Sequence, residues 1–193
     1  MIKAVIFDWH GVIDRITLKS FTDVIVNDSN IPEKELLDFI APIEDKVVVG
    51  KMNHDEYVKS LQDKFGLDLN IINEAFDKVD GLDVNEEVWH YILEIKDKYK
   101  IAIISDCHAE KATMIRKFIK LDHFDTVLLS SEIKLSKRSN EIFLHCSNKL
   151  NLNPSECLFV DDMKELVNRA SKLGFKTCLF STLDDLKRSL SEN

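Results

Sequence analysis

From about residue 84 the chain alternates between short apolar runs and longer stretches with helical spacing. No other feature restricts the fold as much. A helix over about 86–98 leads to Ile101-Ala102-Ile103-Ile104, and one over about 108–119 leads to Thr126-Val127-Leu128-Leu129. A helix over about 139–150 leads to Cys157-Leu158-Phe159-Val160, one over about 163–173 leads to Lys176–Phe180, and a last one covers about 183–191. Strands separated by helices are joined by crossovers, so the sheet is parallel and carries helices on both faces. An earlier run, Ile2-Lys3-Ala4-Val5-Ile6-Phe7, has the same character and breaks at Asp8 into Trp9-His10-Gly11-Val12, which reads as a buried strand entering a tight turn. The predicted class is α/β, a three-layer Rossmann-like parallel sheet.

Residues 15–82 follow another rule. Phe21/Val24/Ile25, Leu36/Leu37/Ile40 and Tyr57/Leu61/Phe65 recur at helical spacing with no convincing strand. The expected division is a core of 1–14 and 83–193 with an all-helical insertion at 15–82. Gly66 follows its helix as a stop, while Pro32 and Pro154 stand where first helical turns begin, the latter behind Asn153 as an N-cap.

Acidic residues outnumber basic ones, 34 to 26, for a net charge of −8. That excludes a basic nucleic-acid surface and favours a cation wherever carboxylates cluster beside an anionic substrate. No apolar run approaches the ~18–20 residues of a membrane span, and the N-terminus lacks signal-peptide architecture. Cys107, Cys146, Cys157 and Cys178 form no CxxC and are expected to be reduced core thiols, which points to the cytoplasm.

The predicted strand ends carry the chemistry. The first ends at Asp8, the second at Ser105-Asp106 and the fourth at Asp161-Asp162, and the third leads through Ser130-Ser131-Glu132 to Lys137. Parallel strands bring these groups to one edge, where open α/β sheets hold their sites. Carboxylates take Mg²⁺ through oxygen. Hydroxyl, ammonium and turn N–H donors take phosphate. An Asp beside both can act as a nucleophile.

Four ordered motifs resemble those of the haloacid dehalogenase-like hydrolases: Phe7-Asp8-Trp9-His10-Gly11-Val12, Ile103-Ile104-Ser105-Asp106, Lys137 with Ile142-Phe143 behind it, and Phe159-Val160-Asp161-Asp162 followed by Asn168, Ala170 and Gly174. Gly50-Lys51-Met52-Asn53-His54-Asp55-Glu56-Tyr57 resembles a segment of the helical cap in members that carry one after the first strand. The resemblance implies an Mg²⁺-dependent phosphohydrolase acting on a small phosphorylated metabolite, similar to sugar-phosphate phosphatases and the phosphatase domain of soluble epoxide hydrolases. It implies that Asp8 attacks phosphorus, that Ser105 holds phosphoryl oxygens, and that Lys137 neutralises charge. It also implies that Asp8, the His10 carbonyl and one or both of Asp161 and Asp162 hold the metal.

One position departs from the pattern. Family phosphatases usually carry a second Asp two residues after the nucleophile, and here it is His10. Imidazole can serve as acid or base near neutral pH; the alternative is that His10 supplies only its carbonyl. A 2-haloacid dehalogenase-type hydrolase using Asp8, or a weakly active phosphate-binding relative, are the competing functions. Among other residues, Asp106 is expected to cap the following helix. Trp9 either faces the substrate or packs beneath it, and Trp89 is expected in the core. Arg15 and His54 are potential substrate contacts from the cap side.

Overall fold

The computed structural model describes residues 1–119 and 123–192. Five strands, β1 (Ala4–Phe7), β2 (Lys100–Ser105), β3 (Thr126–Leu129), β4 (Cys157–Asp161) and β5 (Lys176–Leu179), form one parallel sheet in the order β3-β2-β1-β4-β5. Between β1 and β2 lie α1 (Leu18–Asn27), α2 (Glu33–Val47), α3 (His54–Phe65), α4 (Leu69–Asp80) and α5 (Glu86–Ile95). Beyond β2 come α6 (Ala109–Phe118), a single turn α7 (Ser130–Ile133) after β3, then α8 (Asn140–Leu150), α9 (Lys164–Lys172) and α10 (Leu183–Ser191).

Successive side chains of a strand point to opposite faces, so each strand feeds two cores. Val5, Phe7, Ile101, Ile103, Leu158 and Val160 pack with residues of α5, α6 and α10. Ala4, Ile6, Ala102, Ile104 and Phe159 pack with α8 and α9. Burial on both faces explains why the sequence shows unbroken apolar runs there, with no polar alternation. The result is the three-layer α/β architecture read from the chain. Trp89 is partly buried and packs edgewise against this core, with its ring centroid 5.0 Å from that of Phe118. All four cysteines are buried and free.

Helices α1–α4 share a third core of their own. Phe21, Ile25, Leu36, Ile40, Tyr57, Leu61, Ile72 and Phe76 meet there, each from the apolar stripe of an amphipathic helix. Leu37, grouped with this face by its spacing, lies at its exposed edge (36% exposed). Asn53 caps α3 through a reciprocal bond with Glu56, and Gly66 ends it in a left-handed conformation (φ 65°). No helix among the described residues is long and apolar enough to cross a membrane.

Two chain passages join this helical layer to the sheet, and one buried side chain ties them together. Asp14 is fully buried. Its Oδ1 accepts the main-chain N–H of Ile16 at 3.1 Å and that of Asp83 at 3.0 Å. Its Oδ2 accepts Trp9 Nε1 at 3.1 Å and Lys111 Nζ at 2.7 Å. Lys111, also fully buried, donates further to the carbonyls of Val79 at 3.0 Å and Gly81 at 2.6 Å. Nothing in the sequence pattern announced this network, since Lys111 lies in an ordinary-looking, charge-rich helix start.

Candidate active site

Sheet register brings the predicted residues together. Phe7 pairs with Ile103 on one side and Val160 on the other, so Asp8 leaves β1 level with Ile104 and Asp161. The Asp8 N–H still donates to the Val160 carbonyl at 2.9 Å. Asp8 is buried, its Oδ1 accepting the Trp9 N–H at 2.6 Å. Lys137 is buried between two carboxylates, with Nζ 2.7 Å from Asp8 Oδ2 and 2.8 Å from Asp161 Oδ2. The other Asp161 oxygen accepts the Met163 N–H at 2.8 Å.

Asp162 completes an acidic trio. One oxygen from each of Asp8, Asp161 and Asp162 lies within 4.8 Å of the others. Gly11 makes room for it: its φ is +75°, and a Cβ there would fall 2.3 Å from Asp162 Oδ2. Only a residue without a side chain fits both the backbone and the close approach.

Three carboxylates against one ammonium leave the cluster short of positive charge. Burial pushes the Asp8 carboxyl well above its usual range, Asp161 and Asp162 adding to the effect while Lys137 opposes it. Burial likewise raises Asp162, with repulsion from Asp161 behind it. For Lys137, burial alone would lower the ammonium, but Asp8, Asp161 and Asp106 outweigh it and hold the pKa above the ordinary lysine value. Hard oxygen donors in an under-compensated set fit a divalent cation such as Mg²⁺.

Ser105 closes β2 with its Oγ fully buried and no hydrogen-bond partner of good geometry, the Cys107 thiol being a polar neighbour. An unmatched buried hydroxyl is costly in an ordinary core. It is suited to a position where a ligand oxygen arrives. His10 lines the same cavity, its ring hydrogen-bonded to the Asp106 main chain. Burial lowers the imidazole pKa well below its ordinary value, and Lys111, Lys137 and His108 act in the same direction.

The cavity measures about 290 Å³. Asp8, His10, Lys137 and Asp162 lie on the sheet side, and Phe21, Glu44, Tyr57 and Phe76 cover it from α1–α4. An ion pair and a hydrogen bond span the two sides, Arg138 to Asp45 at 2.6 Å and the His108 ring to Asp80 at 2.6 Å. A smaller chamber of about 220 Å³ lies alongside, bounded partly by His54, Asn53 and Lys134, with none of the acidic trio in its wall.

One expectation needs correction, and others are narrowed. Asp106 does not cap α6; His108 occupies that N-cap position, without a side-chain cap bond. Asp106 Oδ1 instead accepts the Lys137 main-chain N–H at 2.9 Å and so fixes the lysine loop. Trp9 packs beneath the site, bonded to Asp14 and edge-on to Phe118 at 5.9 Å. Arg15 binds Asp83 at 3.2 Å and the Val84 carbonyl at 2.9 Å, at the junction between layers. His54 packs its ring on Phe76, with centroids 4.4 Å apart, in the side chamber. Cys107 is a buried free thiol, as expected of a reduced core cysteine, and burial pushes it up to about 12.

With the acidic trio, the lysine and the strand-end hydroxyl assembled, residues 2–165 match the profile of the haloacid dehalogenase-like hydrolases. The chain belongs to that family. It is therefore a hydrolase of haloacid dehalogenase-like type. One relative, a D-ribitol-5-phosphate phosphatase of Bacteroides thetaiotaomicron, is 25% identical over 92% of this chain and 91% of its own. A haloacid dehalogenase family enzyme from the same organism, solved as the wild-type protein with magnesium and inorganic phosphate, superposes with a TM-score of 0.74. It is 21% identical, with 96% of this chain and 99% of that one covered. A predicted hydrolase of the same family from Porphyromonas gingivalis gives a TM-score of 0.76 at 22% identity over the full length of both chains. At such identities the solved structures speak for the fold.

Proposed function

We propose that the protein is an Mg²⁺-dependent phosphohydrolase that cleaves a small phosphate monoester through an aspartyl-phosphate on Asp8. The observation that carries this reading is the buried Lys137 bridging Asp8 and Asp161 inside a set with a net deficit of positive charge. A phosphate monoester dianion cannot approach three carboxylates unless cations intervene. Lys137 supplies one and Mg²⁺ the other, held by Asp8, Asp161 and Asp162, with the His10 carbonyl as a further donor.

The metal, when bound, neutralises phosphoryl charge. The chain's own residues do the rest. An oxygen of Asp8 attacks phosphorus, and the ester oxygen leaves with its bonding pair and takes up a proton. Water then attacks phosphorus, the bond to Asp8 breaks, and the carboxylate is restored as inorganic phosphate departs. Lys137 and the Ser105 hydroxyl meet the equatorial oxygens throughout, which is where most phosphoryl-transfer stabilisation lies. His10 lines the cavity with the nucleophile. Its lowered pKa keeps the imidazole neutral, so it takes the proton of the attacking water and returns it to solvent, while the leaving alkoxide takes its proton from solvent. Helices α1–α4 act as the cap that closes over the cavity and excludes bulk water. The D-ribitol-5-phosphate phosphatase relative supports a sugar or alditol phosphate as substrate.

Initial rates on a panel of alkyl phosphates with and without chelator test this reading. Turnover that needs Mg²⁺ and vanishes in Asp8→Asn is expected. Release of halide from a 2-haloacid, undiminished by chelator, would replace it with the dehalogenase reading.

A further inference from the structure

The helical side of the large cavity carries an unusual polar pair. Glu44 of α2 and Tyr57 of α3 both line it, and the Tyr57 hydroxyl donates to Glu44 Oε1 at 2.7 Å. Tyr57 is 2% exposed and is fixed by Phe21 and Phe76, at centroid distances of 6.0 and 5.4 Å. The carboxylate is thus aimed into the cavity by a rigid support and keeps lone pairs free. The phosphoryl-transfer steps use neither residue.

Charge decides what such a wall accepts. The cavity-lining residues contributed by α1–α4 include no lysine or arginine, while Glu44 and Asp45 contribute carboxylates. Of the cavity-lining cations, Arg138 is already paired with Asp45 at 2.6 Å and Lys137 with Asp8 and Asp161, and the His108 ring is bonded to Asp80 at 2.6 Å. A carboxylate or second phosphate on the substrate tail would lie against Glu44 with no free partner, and like charges so placed repel. Burial raises the Glu44 carboxyl above its ordinary value, with the Tyr57 hydrogen bond, His108 and Arg138 opposing it, so an ammonium tail meets a carboxylate whose charge is already partly compensated. A hydroxyl donor fits both conditions.

We infer that Glu44, held by Tyr57, is a specificity-determining residue that accepts a hydrogen bond from an uncharged, hydroxyl-bearing substrate tail and excludes anionic tails. This rests on the phosphohydrolase reading and adds to it the polarity of the group beyond the phosphate. Discrimination of this kind combines an attractive contact with a built-in repulsion.

Dissociation constants separate this inference from the reading beneath it. Glycerol 3-phosphate, 3-phosphoglycerate and phosphoethanolamine share a phosphate and a short tail that is neutral, anionic or cationic. Each is titrated calorimetrically into the Asp8→Asn protein with Mg²⁺, with and without Glu44→Gln, and kcat/KM is measured in parallel with Asp8 intact. The expected result is glycerol 3-phosphate bound about tenfold or more tighter than the other two, with Glu44→Gln narrowing the gap to 3-phosphoglycerate about tenfold. Equal affinity for the neutral and anionic esters, or tightest binding of phosphoethanolamine, overturns the inference. Binding preference without turnover sustains it and removes the hydrolase reading. Should Glu44→Gln fail to fold, Tyr57→Phe frees the carboxylate and is expected to weaken glycerol 3-phosphate binding; unchanged affinity there counts against the inference.

Discussion

Two lysines lie buried among the described residues, and they serve opposite ends. Lys111 meets one carboxylate, Asp14, and two main-chain carbonyls, so its three donors are all satisfied within the fold and its charge is matched one to one. Lys137 meets two carboxylates, with a third nearby and a cavity in front. The first arrangement is complete and holds two chain passages in place. The second is incomplete in charge, and incompleteness beside a cavity is what a site for phosphate and a cation requires. Burial of an ion pair does not itself distinguish structure from function; the balance of charge around it does.

Substitutions can break this contrast, the largest effects coming from the incomplete site. Asp8→Asn is expected to bring phosphate release from alkyl esters below detection while circular dichroism stays native. Lys137→Met is expected to lower kcat by at least ~10²–10³-fold, the loss typical of one lost charge-stabilising donor, measured by steady-state kinetics on the folded variant.

The complete pair is expected to fail differently. Lys111→Met leaves Asp14 buried and unpaired, and a loss of about 3–5 kcal/mol in urea unfolding is expected. Adding Asp14→Asn removes the orphaned charge while its one oxygen still accepts the Ile16 and Asp83 amides at the expense of the Trp9 bond, and part of the stability returns. If Lys111→Met instead reduced kcat by the same factor as Lys137→Met with no loss of stability, the contrast would collapse.

His10 sharpens the account of proton transfer. A well-placed acid or base is worth ~10²–10⁴-fold, so His10→Asp is expected to leave turnover of an alkyl phosphate unchanged or lower. A gain of that size would show that the imidazole was not doing this work. Mg²⁺ gives the smallest effect: a site filled at one hundred times its dissociation constant adds about 2.7 kcal/mol to stability, read as a thermal shift that Asp162→Asn is expected to diminish.

How much of this was legible in the chain follows from how local each signal is. The strands and their order of chemistry were readable because a doubly covered strand needs an unbroken apolar run, and because parallel strands bring successive ends to one edge. Asp8, Ser105, Lys137 and Asp161-Asp162 were found that way; the structure brings Asp8, Lys137, Asp161 and Asp162 into one cluster, and leaves Ser105 at the end of β2 with a buried, unpartnered hydroxyl that is not in the cavity wall. The clasp of Asp14 and Lys111 was not, since two residues 97 apart signal nothing until the fold brings them together. Asp106 was misread for a related reason: Asp before a helix suggests a cap, but its carboxylate finds the Lys137 main chain instead. Glu44 and Tyr57 lie on different helices, and only packing turns them into one hydrogen-bonded pair facing the cavity.

The most direct test of the central claim is a covalent one. The protein is mixed with a small alkyl phosphate and Mg²⁺, quenched in acid within a single turnover, digested and weighed by mass spectrometry. The account predicts one added phosphoryl group on the peptide that carries Asp8, absent when chelator is present. Steady hydrolysis with no phosphorylated Asp8, or with the phosphoryl group on another residue, would contradict it.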